Sequence, residues 1–321
     1  MTVENMDYIQ AKNGSGKIAC YTAEKGSDIF NYVKDNKDFI QKTIHQYGGI
    51  ILRNFGIRAV SEFSKLSEII SPNLLDYVNR STPRTRLGGK IYTATEYPAH
   101  KHIPPHNENA YTLAWPEKLL FFCVIAPQSG GETPIVDSRQ VLSKLDKNIV
   151  KRFNDKQVLY TRNYATGIDL SWQDVFQTSD KKEVEHYCDD NKIQYTWHDN
   201  ADGLELTTKQ ICQATLKHPV TSDNVWFNQA HLFHVASLDD ADRSALLSIV
   251  KEDRLPRNAS YGDGSNISDV DIQHILSVYD AEKIVFQWQK GDVMILDNVL
   301  MAHARHPFSG ERKIVVAMGN G

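Results

Sequence analysis

Residues 119–136 of the 321-residue chain read LLFFCVIAPQSGGETPIV. The first seven of these residues are all apolar, which predicts a strand that is covered on both faces in the middle of a sheet. Residues 128–131 predict a turn, and residues 133–136 predict a short returning strand. This stretch therefore indicates a sheet-rich fold and places the centre of its sheet.

Patterns on either side of this stretch add helices and further strands. Apolar residues at helical spacing predict helices over residues 36–46, 61–70 and 138–153. Short apolar runs predict strands at residues 50–52, 293–296 and 314–317. These elements indicate a β-rich α+β fold with a sandwich or barrel at its centre.

The connecting segments show no sign of a domain boundary. A long polar loop is expected between the last two strands, and an exposed loop over residues 258–269. Residues 157–283 have a mixed pattern that predicts no clear order of elements. Because no repeat or linker divides the sequence, we expect residues 1–321 to form a single domain.

Composition and charge argue against several classes of function. The formal net charge of -4 offers neither a basic footprint for nucleic acid nor a polybasic anchor for a membrane. The apolar runs are too short to span a bilayer, and the polar N-terminus does not resemble a signal peptide. The four cysteines have no CxxC spacing, which is typical of a reducing compartment rather than of a disulfide framework. We therefore expect a cytoplasmic protein.

The pair His106-x-Glu108 is the candidate centre of the chemistry. Such a pair is common by chance, but Pro104 and Pro105 disfavour a helix and predict an extended or turning segment. Residues i and i+2 of a strand point to the same face, so the two side chains can bind one ion together. Two imidazoles and one carboxylate on one face of a metal are typical of non-haem Fe(II) oxygenases. This interpretation requires a second histidine from elsewhere in the chain.

His303 is the preferred second histidine, and His306 is its local competitor. His303 follows the strand at residues 293–296 and precedes Arg312 in a segment long enough to form a hairpin. A hairpin can return Arg312 to the metal, where its guanidinium would pair with the far carboxylate of a dicarboxylate co-substrate.

Several short motifs carry a resemblance to a known family. They are NRSTPR at 79–84, EYP at 96–98, PHNEN at 105–109, GGET at 130–133, WFNQ at 226–229, and the segment 297–312 that runs from Asp-Asn to Arg. In these motifs the chain resembles the taurine dioxygenase-like (TauD/TfdA) family of Fe(II)/2-oxoglutarate-dependent oxygenases. Within that family it looks closest to the branch named after the syringomycin biosynthesis hydroxylase.

The resemblance implies a double-stranded β-helix (jelly-roll) core with flanking helices and a long insertion. It implies that His106, Glu108 and His303 bind iron, and that Thr133 and Arg312 bind the distal carboxylate of 2-oxoglutarate. Some members carry a second arginine four residues after the first, where this chain has Val316. The group that meets the inner carboxylate is therefore unassigned. The implied cofactors are Fe(II), 2-oxoglutarate as co-substrate, and O2.

The resemblance also suggests a substrate class. It implies hydroxylation of an amino acid, free or bound to a carrier protein, in specialised metabolite biosynthesis. Polar residues near the motifs that could meet such a substrate are Arg86, His102, Asn109, Asn228 and Arg305. For each of them, a satisfied hydrogen bond or a surface charge explains the residue equally well.

Other functions remain open from the sequence. Desaturation, or another oxidative outcome on the same scaffold, depends on substrate placement. A non-catalytic 2-oxoglutarate or carrier-protein binding protein is a second alternative, and a zinc hydrolase with the same ligands is a third. His231 and His234 form a weaker metal-ligand pair, since an HExxH motif is absent.

Overall fold

A computed structural model describes residues 6–76, 84–94, 97–164, 169–200 and 203–321. Its strands, numbered in chain order, are β1 (Met6–Gln10), β2 (Lys17–Thr22), β3 (Gly49–Arg53), β4 (Asn73–Leu74), β5 (Arg86–Gly88), β6 (Ile91–Thr93), β7 (Ile103–His106), β8 (Lys118–Ile125), β9 (Ser129–Gly130), β10 (Ile135–Asp137), β11 (Val158–Tyr164), β12 (Gln194–Asn200), β13 (Gly203–Cys212), β14 (Thr215–Lys217), β15 (Asn224–Trp226), β16 (Arg257–Tyr261), β17 (Val293–Asp297), β18 (Met301–Arg305), β19 (Phe308–Ser309) and β20 (Lys313–Asn320).

The helices surround these strands. They are α1 (Ile29–Asp35), α2 (Lys37–Tyr47), α3 (Val60–Ile70), α4 (Ser138–Lys144), α5 (Lys147–Lys156), α6 (Trp172–Phe176), α7 (Lys181–Asp190), α8 (Ala230–Phe233), α9 (Asp240–Ile249) and α10 (Asp269–Ala281). The helices predicted over residues 36–46 and 61–70 are confirmed as α2 and α3. Among the described residues, no helix combines the length and the apolar character needed to cross a membrane.

The largest sheet of the described chain has the order β1-β2-β3-β17-β8-β20-β6-β5, with β4 added beside β20. β8 lies between β17 and β20, which confirms the prediction of a central strand. Neighbouring strands of this sheet pair antiparallel, except β2 and β3, which are parallel.

The alternation of side chains along β8 explains why every residue of its centre is apolar. Leu120 and Phe122 belong to one core cluster, together with residues of α1, α2 and α3. Leu119, Phe121 and Cys123 belong to a second cluster on the other face, together with residues of β10 and β18. Burial of a large apolar side chain stabilises a fold by about 1.5–3 kcal/mol, so this strand contributes strongly to both layers.

A three-stranded sheet, β10-β18-β7, covers the second face of the large sheet and carries the candidate ligands His106 and His303. A four-stranded sheet, β12-β13-β11-β16, is formed within the segment whose sequence gave no clear order. One face of it packs on α4, α5, α8 and α10 through a third core cluster. The fold is therefore mixed α/β and sheet-rich, as expected.

Several local predictions were wrong, each for a physical reason. The helix predicted over residues 138–153 is two helices, because Leu145 has an extended backbone and Asp146 caps α5 by accepting the N–H groups of Asn148 and Ile149. The polar loop expected before residue 314 contains the fully buried β18. Because this strand includes a histidine and an arginine, its sequence does not show an apolar pattern.

Two further boundaries differ from prediction. The loop expected over residues 258–269 begins with β16, which pairs with β11. The strand expected at residues 133–136 is the shifted β10, and it pairs with β18 in the small sheet instead of returning beside β8.

The Gly130-Gly131 turn brings β9 against β19. Both glycines have positive φ, 69° and 68°. A Cβ on Gly130 would lie 2.2 Å from the Pro307 carbonyl oxygen, and one on Gly131 would lie 3.0 Å from the Arg312 side chain. Only glycine allows both this backbone conformation and this approach, so the turn positions the segment that leads to Arg312.

We expect Gly130→Ala to lower the free energy of unfolding by at least about 2 kcal/mol more than Gly264→Ala does. Gly264 has a φ of 82° with nothing within 4 Å of its Cβ position. Its substitution therefore measures only the cost of a positive φ in a residue that has a Cβ. Urea unfolding of both variants measures the difference. If both variants lost the same free energy of unfolding, the close approach of Gly130 to Pro307 would not contribute to stability.

Candidate metal centre

His106 and His303 face each other across two paired strands. His106 is the last residue of β7 and lies directly opposite His303 of β18 in the antiparallel register. Their ring centroids are 4.4 Å apart. Side chains opposite one another on neighbouring strands point to the same face, so this pairing brings the two imidazoles together.

Glu108 lies just beyond β7, in a turn, which is one of the two conformations expected for this segment. Its Oε2 is 3.8 Å from His303 Nε2. Ligand atoms of His106, Glu108 and His303 all lie within 4.8 Å of one another, the one such group of three or more His, Cys, Asp or Glu residues in the described chain. The carboxylate of Glu108 lies near His106, as expected. The turn after β7, and not the alternation of a strand, orients the Glu108 side chain.

The two imidazoles are prepared to act as neutral ligands. His106 Nδ1 lies 2.9 Å from the Pro104 carbonyl oxygen, which can only accept, so Nδ1 carries the proton and Nε2 keeps its lone pair. Burial lowers the pKa of His106, although Glu108 opposes this shift. Burial, together with His106 and Arg84, holds the pKa of His303 well below its usual value. Two neutral imidazoles and a carboxylate are a donor set that fits Fe(II).

Hydrogen bonds between side-chain amides and the main chain fix the turn that carries Glu108. The Glu108 N–H donates to Asn298 Oδ1 at 2.7 Å, and Asn298 Nδ2 donates to the Glu108 carbonyl at 2.9 Å. Asn107 Nδ2 donates to the Asn298 carbonyl at 2.7 Å, and Gln229 Nε2 donates to the Asn107 carbonyl. All of these groups are buried, so breaking one bond leaves an unsatisfied polar group in the core.

Arg84 makes an ion pair with the same carboxylate. Its Nη2 lies 2.6 Å from Glu108 Oε2, and each side chain is only 3% exposed. Arg84 is the first described residue after the 77–83 gap and lies just before β5. The sequence had placed Arg84 in a family motif without giving it a role.

Thr133 and Arg312 lie together, as the resemblance implied. Arg312 Nε donates to the Gly131 carbonyl at 2.8 Å, and its Nη2 lies 3.3 Å from Thr133 Oγ1. Trp288 Nε1 also donates to Thr133 Oγ1, at 3.0 Å. Because this hydroxyl accepts two hydrogen bonds, its own proton is available to an anion. Burial lowers the pKa of Arg312 to about 10, so it stays charged at neutral pH.

A single cavity joins these groups. It holds about 380 Å³ of empty space and is lined by His106, His303, Thr133, Arg312, Arg84, Arg305 and the apolar residues Ala94, Ile103, Phe121, Ala304 and Ile314. Val316, at the position where some family members carry a second arginine, is buried in β20 opposite Phe121 of β8.

The five candidate substrate residues lie in different surroundings. Arg305 lines the cavity, and its guanidinium donates to the carbonyls of Tyr97, Pro98 and Lys101. Asn228 is fully buried, with its amide bonded to the Ala214 carbonyl and to the Ala230 N–H.

The remaining three lie nearer the surface. Arg86 donates to the Gly89 carbonyl and is paired with Asp76 at 3.7 Å. His102 is exposed, with its ring 5.8 Å from that of His306. Asn109 has a φ of 59°, and its buried Oδ1 has no hydrogen-bond partner among the described residues. Contact of these residues with substrate stays a prediction.

The competing histidines have other partners. His306 Nδ1 lies 3.0 Å from Glu132 Oε2. His231 donates to the Pro105 carbonyl at 2.7 Å and so supports the chain before His106, while His234 accepts the N–H of Ala236. Within the motifs, residues 79–83 and Glu96 lie outside the described part of the chain.

Comparisons with known proteins agree on one family. The family model described as "Taurine catabolism dioxygenase TauD, TfdA family" matches residues 16–318. Dapdiamide synthesis protein DdaC of Enterobacter agglomerans is 43% identical over 279 residues, covering 87% of this chain and 84% of the relative. A clavaminate synthase-like protein of Arabidopsis thaliana is 29% identical over 296 residues, covering 89% of this chain and 86% of the relative.

Solved structures show the same fold at low sequence identity. PvcB of Pseudomonas aeruginosa superimposes with a TM-score of 0.56 at 11% identity, covering 99% of this chain and 92% of that chain. Another PvcB structure, described as an Fe, alpha-ketoglutarate dependent oxygenase from an isonitrile synthetic pathway, gives the same TM-score at 10% identity and the same coverage. The match over residues 16–318, together with the 43% identical relative, shows that the chain belongs to the TauD/TfdA family of dioxygenases.

Proposed function

We propose that this oxygenase binds Fe(II) through His106, Glu108 and His303, and binds the distal carboxylate of 2-oxoglutarate through Thr133 and Arg312. The observation that carries the proposal is the single cavity that contains both histidines, Thr133 and Arg312. A zinc hydrolase would have no use for a half-buried guanidinium and a hydroxyl whose proton is free to donate to an anion. Its three ligands alone would suffice.

Some side chains of the proposed site bind the co-substrate, and others exclude water. Fe(II) with 2-oxoglutarate supplies the means of activating O2 for attack on a C–H bond. Arg312 offers a bidentate guanidinium to the distal carboxylate, and Trp288 orients the Thr133 hydroxyl toward it. Phe121, Ile103 and Ile314 line the cavity with apolar surface, which keeps water away from the reacting groups.

The proposed substrate is an amino acid, free or carrier-bound, and the proposed reaction is its hydroxylation in specialised metabolite biosynthesis. Support comes from DdaC, a protein of dapdiamide synthesis, and from PvcB, which acts in an isonitrile pathway. Asn109 follows Glu108 directly and offers a buried amide oxygen that suits a substrate amine. Desaturation on the same scaffold is the alternative outcome.

The architecture supports the finer fold assignment as well. We propose that the large sheet and the sheet β10-β18-β7 are the two halves of a double-stranded β-helix, with β11–β16 and their helices as the long insertion. The family match across residues 16–318 supports one catalytic domain over the whole chain. The four cysteines are buried free thiols, consistent with the proposed cytoplasmic location.

One prediction of this proposal concerns the metal and the co-substrate. Anaerobic titration with Fe(II) and 2-oxoglutarate should produce a weak visible charge-transfer band, and His106→Ala should abolish it. Arg312→Ala should raise the Kd of 2-oxoglutarate roughly 30-fold or more, because losing one partner of a buried charge pair costs about 2 kcal/mol or more.

Arg152→Ala is the matched control, since Arg152 pairs with Asp271 at 2.7 Å away from the cavity residues. Its Kd for 2-oxoglutarate should equal that of the unmodified protein. Fe(II) binding without the band would place 2-oxoglutarate elsewhere, and full activity with zinc would favour the hydrolase.

A second prediction tests the Thr133 hydroxyl. Trp288→Phe removes the indole donor but keeps an aromatic ring, so it should raise the Kd of 2-oxoglutarate about three- to tenfold, as expected for one neutral hydrogen bond. Thr133→Val should produce a similar or larger increase. Both variants should keep the Fe(II) affinity of the unmodified protein, and a loss of Fe(II) binding in either would contradict this assignment.

A further inference from the structure

The side chain of Arg84 lies beside Glu108, one of the three proposed metal ligands. It lines the same cavity as both histidine ligands. Its Nη2 contacts Glu108 Oε2, the oxygen that lies 3.8 Å from His303 Nε2. A bound metal lies roughly 2 Å from its carboxylate oxygen, so this guanidinium is within about 5 Å of any ion held by the three ligands.

The three arginines that line the cavity have different hydrogen-bond partners. Arg312 is directed to Thr133, and Arg305 donates to three backbone carbonyls. Arg84 is the arginine that contacts a metal ligand. A carboxylate oxygen has two lone pairs, so Glu108 Oε2 can accept from Arg84 and still bind a metal.

The charge next to Arg84 changes sign when the co-substrate binds. With neutral histidines, a divalent ion and Glu108 together carry one net positive charge, which a nearby guanidinium opposes. Addition of the 2-oxoglutarate dianion gives the assembled group one net negative charge, which the same guanidinium favours. The burial of both side chains makes these interactions weakly screened.

We propose that Arg84 selects the metal–co-substrate pair over the metal alone, by favouring the carboxylate that binds beside the metal and by opposing the bare ion. This inference rests on the proposed Fe(II) and 2-oxoglutarate site. Arg84 is thus a positioning residue for the inner carboxylate of 2-oxoglutarate, and it supplies the cation that Val316 does not. This role depends on the charge of Arg84, whatever other contacts its side chain makes.

The test compares Arg84→Gln, which keeps an N–H donor without the charge, with Arg84→Lys, which keeps the charge. Anaerobic calorimetry would measure Fe(II) binding alone, and then binding of N-oxalylglycine to the Fe(II)-loaded protein. Arg84→Gln should bind Fe(II) as tightly as the unmodified protein or more tightly, and should bind N-oxalylglycine at least tenfold more weakly. Arg84→Lys should recover most of the N-oxalylglycine affinity.

Other patterns overturn the inference. Weaker Fe(II) binding with unchanged N-oxalylglycine binding would mean that Arg84 only holds Glu108 in place, and no change in either affinity would mean that its charge has no role. A failure of the unmodified protein to bind Fe(II) would overturn the proposed function, and this inference with it. Arg152→Gln, outside the cavity, should match the unmodified protein in both measurements.

A monocarboxylate 2-oxo acid shows which carboxylate of the co-substrate interacts with Arg84. Pyruvate keeps the inner carboxylate and lacks the distal one. Arg84→Gln should therefore still weaken the binding of pyruvate to the Fe(II)-loaded protein, whereas Arg312→Ala should leave it unchanged. The reverse pattern would place Arg84 at the distal end and contradict the proposal.

Discussion

The antiparallel pairing of β7 with β18 is the constraint on which the site depends. It places His106 directly opposite His303, although the two residues are far apart in the chain. β18 is held in turn by β10 on its other side, where Ile135 lies opposite His303. A slip of one residue in this register would turn one histidine to the other face of the sheet and separate the two imidazoles.

Glu108 depends on a second constraint, because β7 ends before it. The side-chain amide of Asn298 replaces the missing strand partner by bonding both the N–H and the carbonyl of Glu108. Asn298 is placed by the turn between β17 and β18, and Asp297 holds that turn by accepting the N–H groups of Val299 and Leu300. The third ligand is thus tied to the same strand connection that leads into His303.

The cavity combines charged guanidinium groups with an apolar lining. Arg84 is buried beside Glu108, and Arg312 is half-buried beside Thr133. Buried guanidinium groups are costly unless anions compensate them; Glu108 pairs with Arg84, and in the proposed function the co-substrate pairs with Arg312. The apolar wall formed by Phe121 and its neighbours strengthens these pairings by excluding solvent.

The sequence alone determined the central strand, the helices α2 and α3, the family, and the residues expected to bind iron and 2-oxoglutarate. These follow from local patterns and short motifs, which need no knowledge of distant contacts. The sequence could not show that residues 138–153 form two helices, that β18 lies within an apparent loop, or which of the two expected conformations, extended or turning, Glu108 adopts. Only the tertiary structure placed Asn298, Trp288 and Arg84 beside the motif residues, because each acts through a contact with a part of the chain that is distant in sequence. Short-range periodicity reports which face of an element is apolar, whereas cross-strand register and buried hydrogen bonds decide which side chains meet.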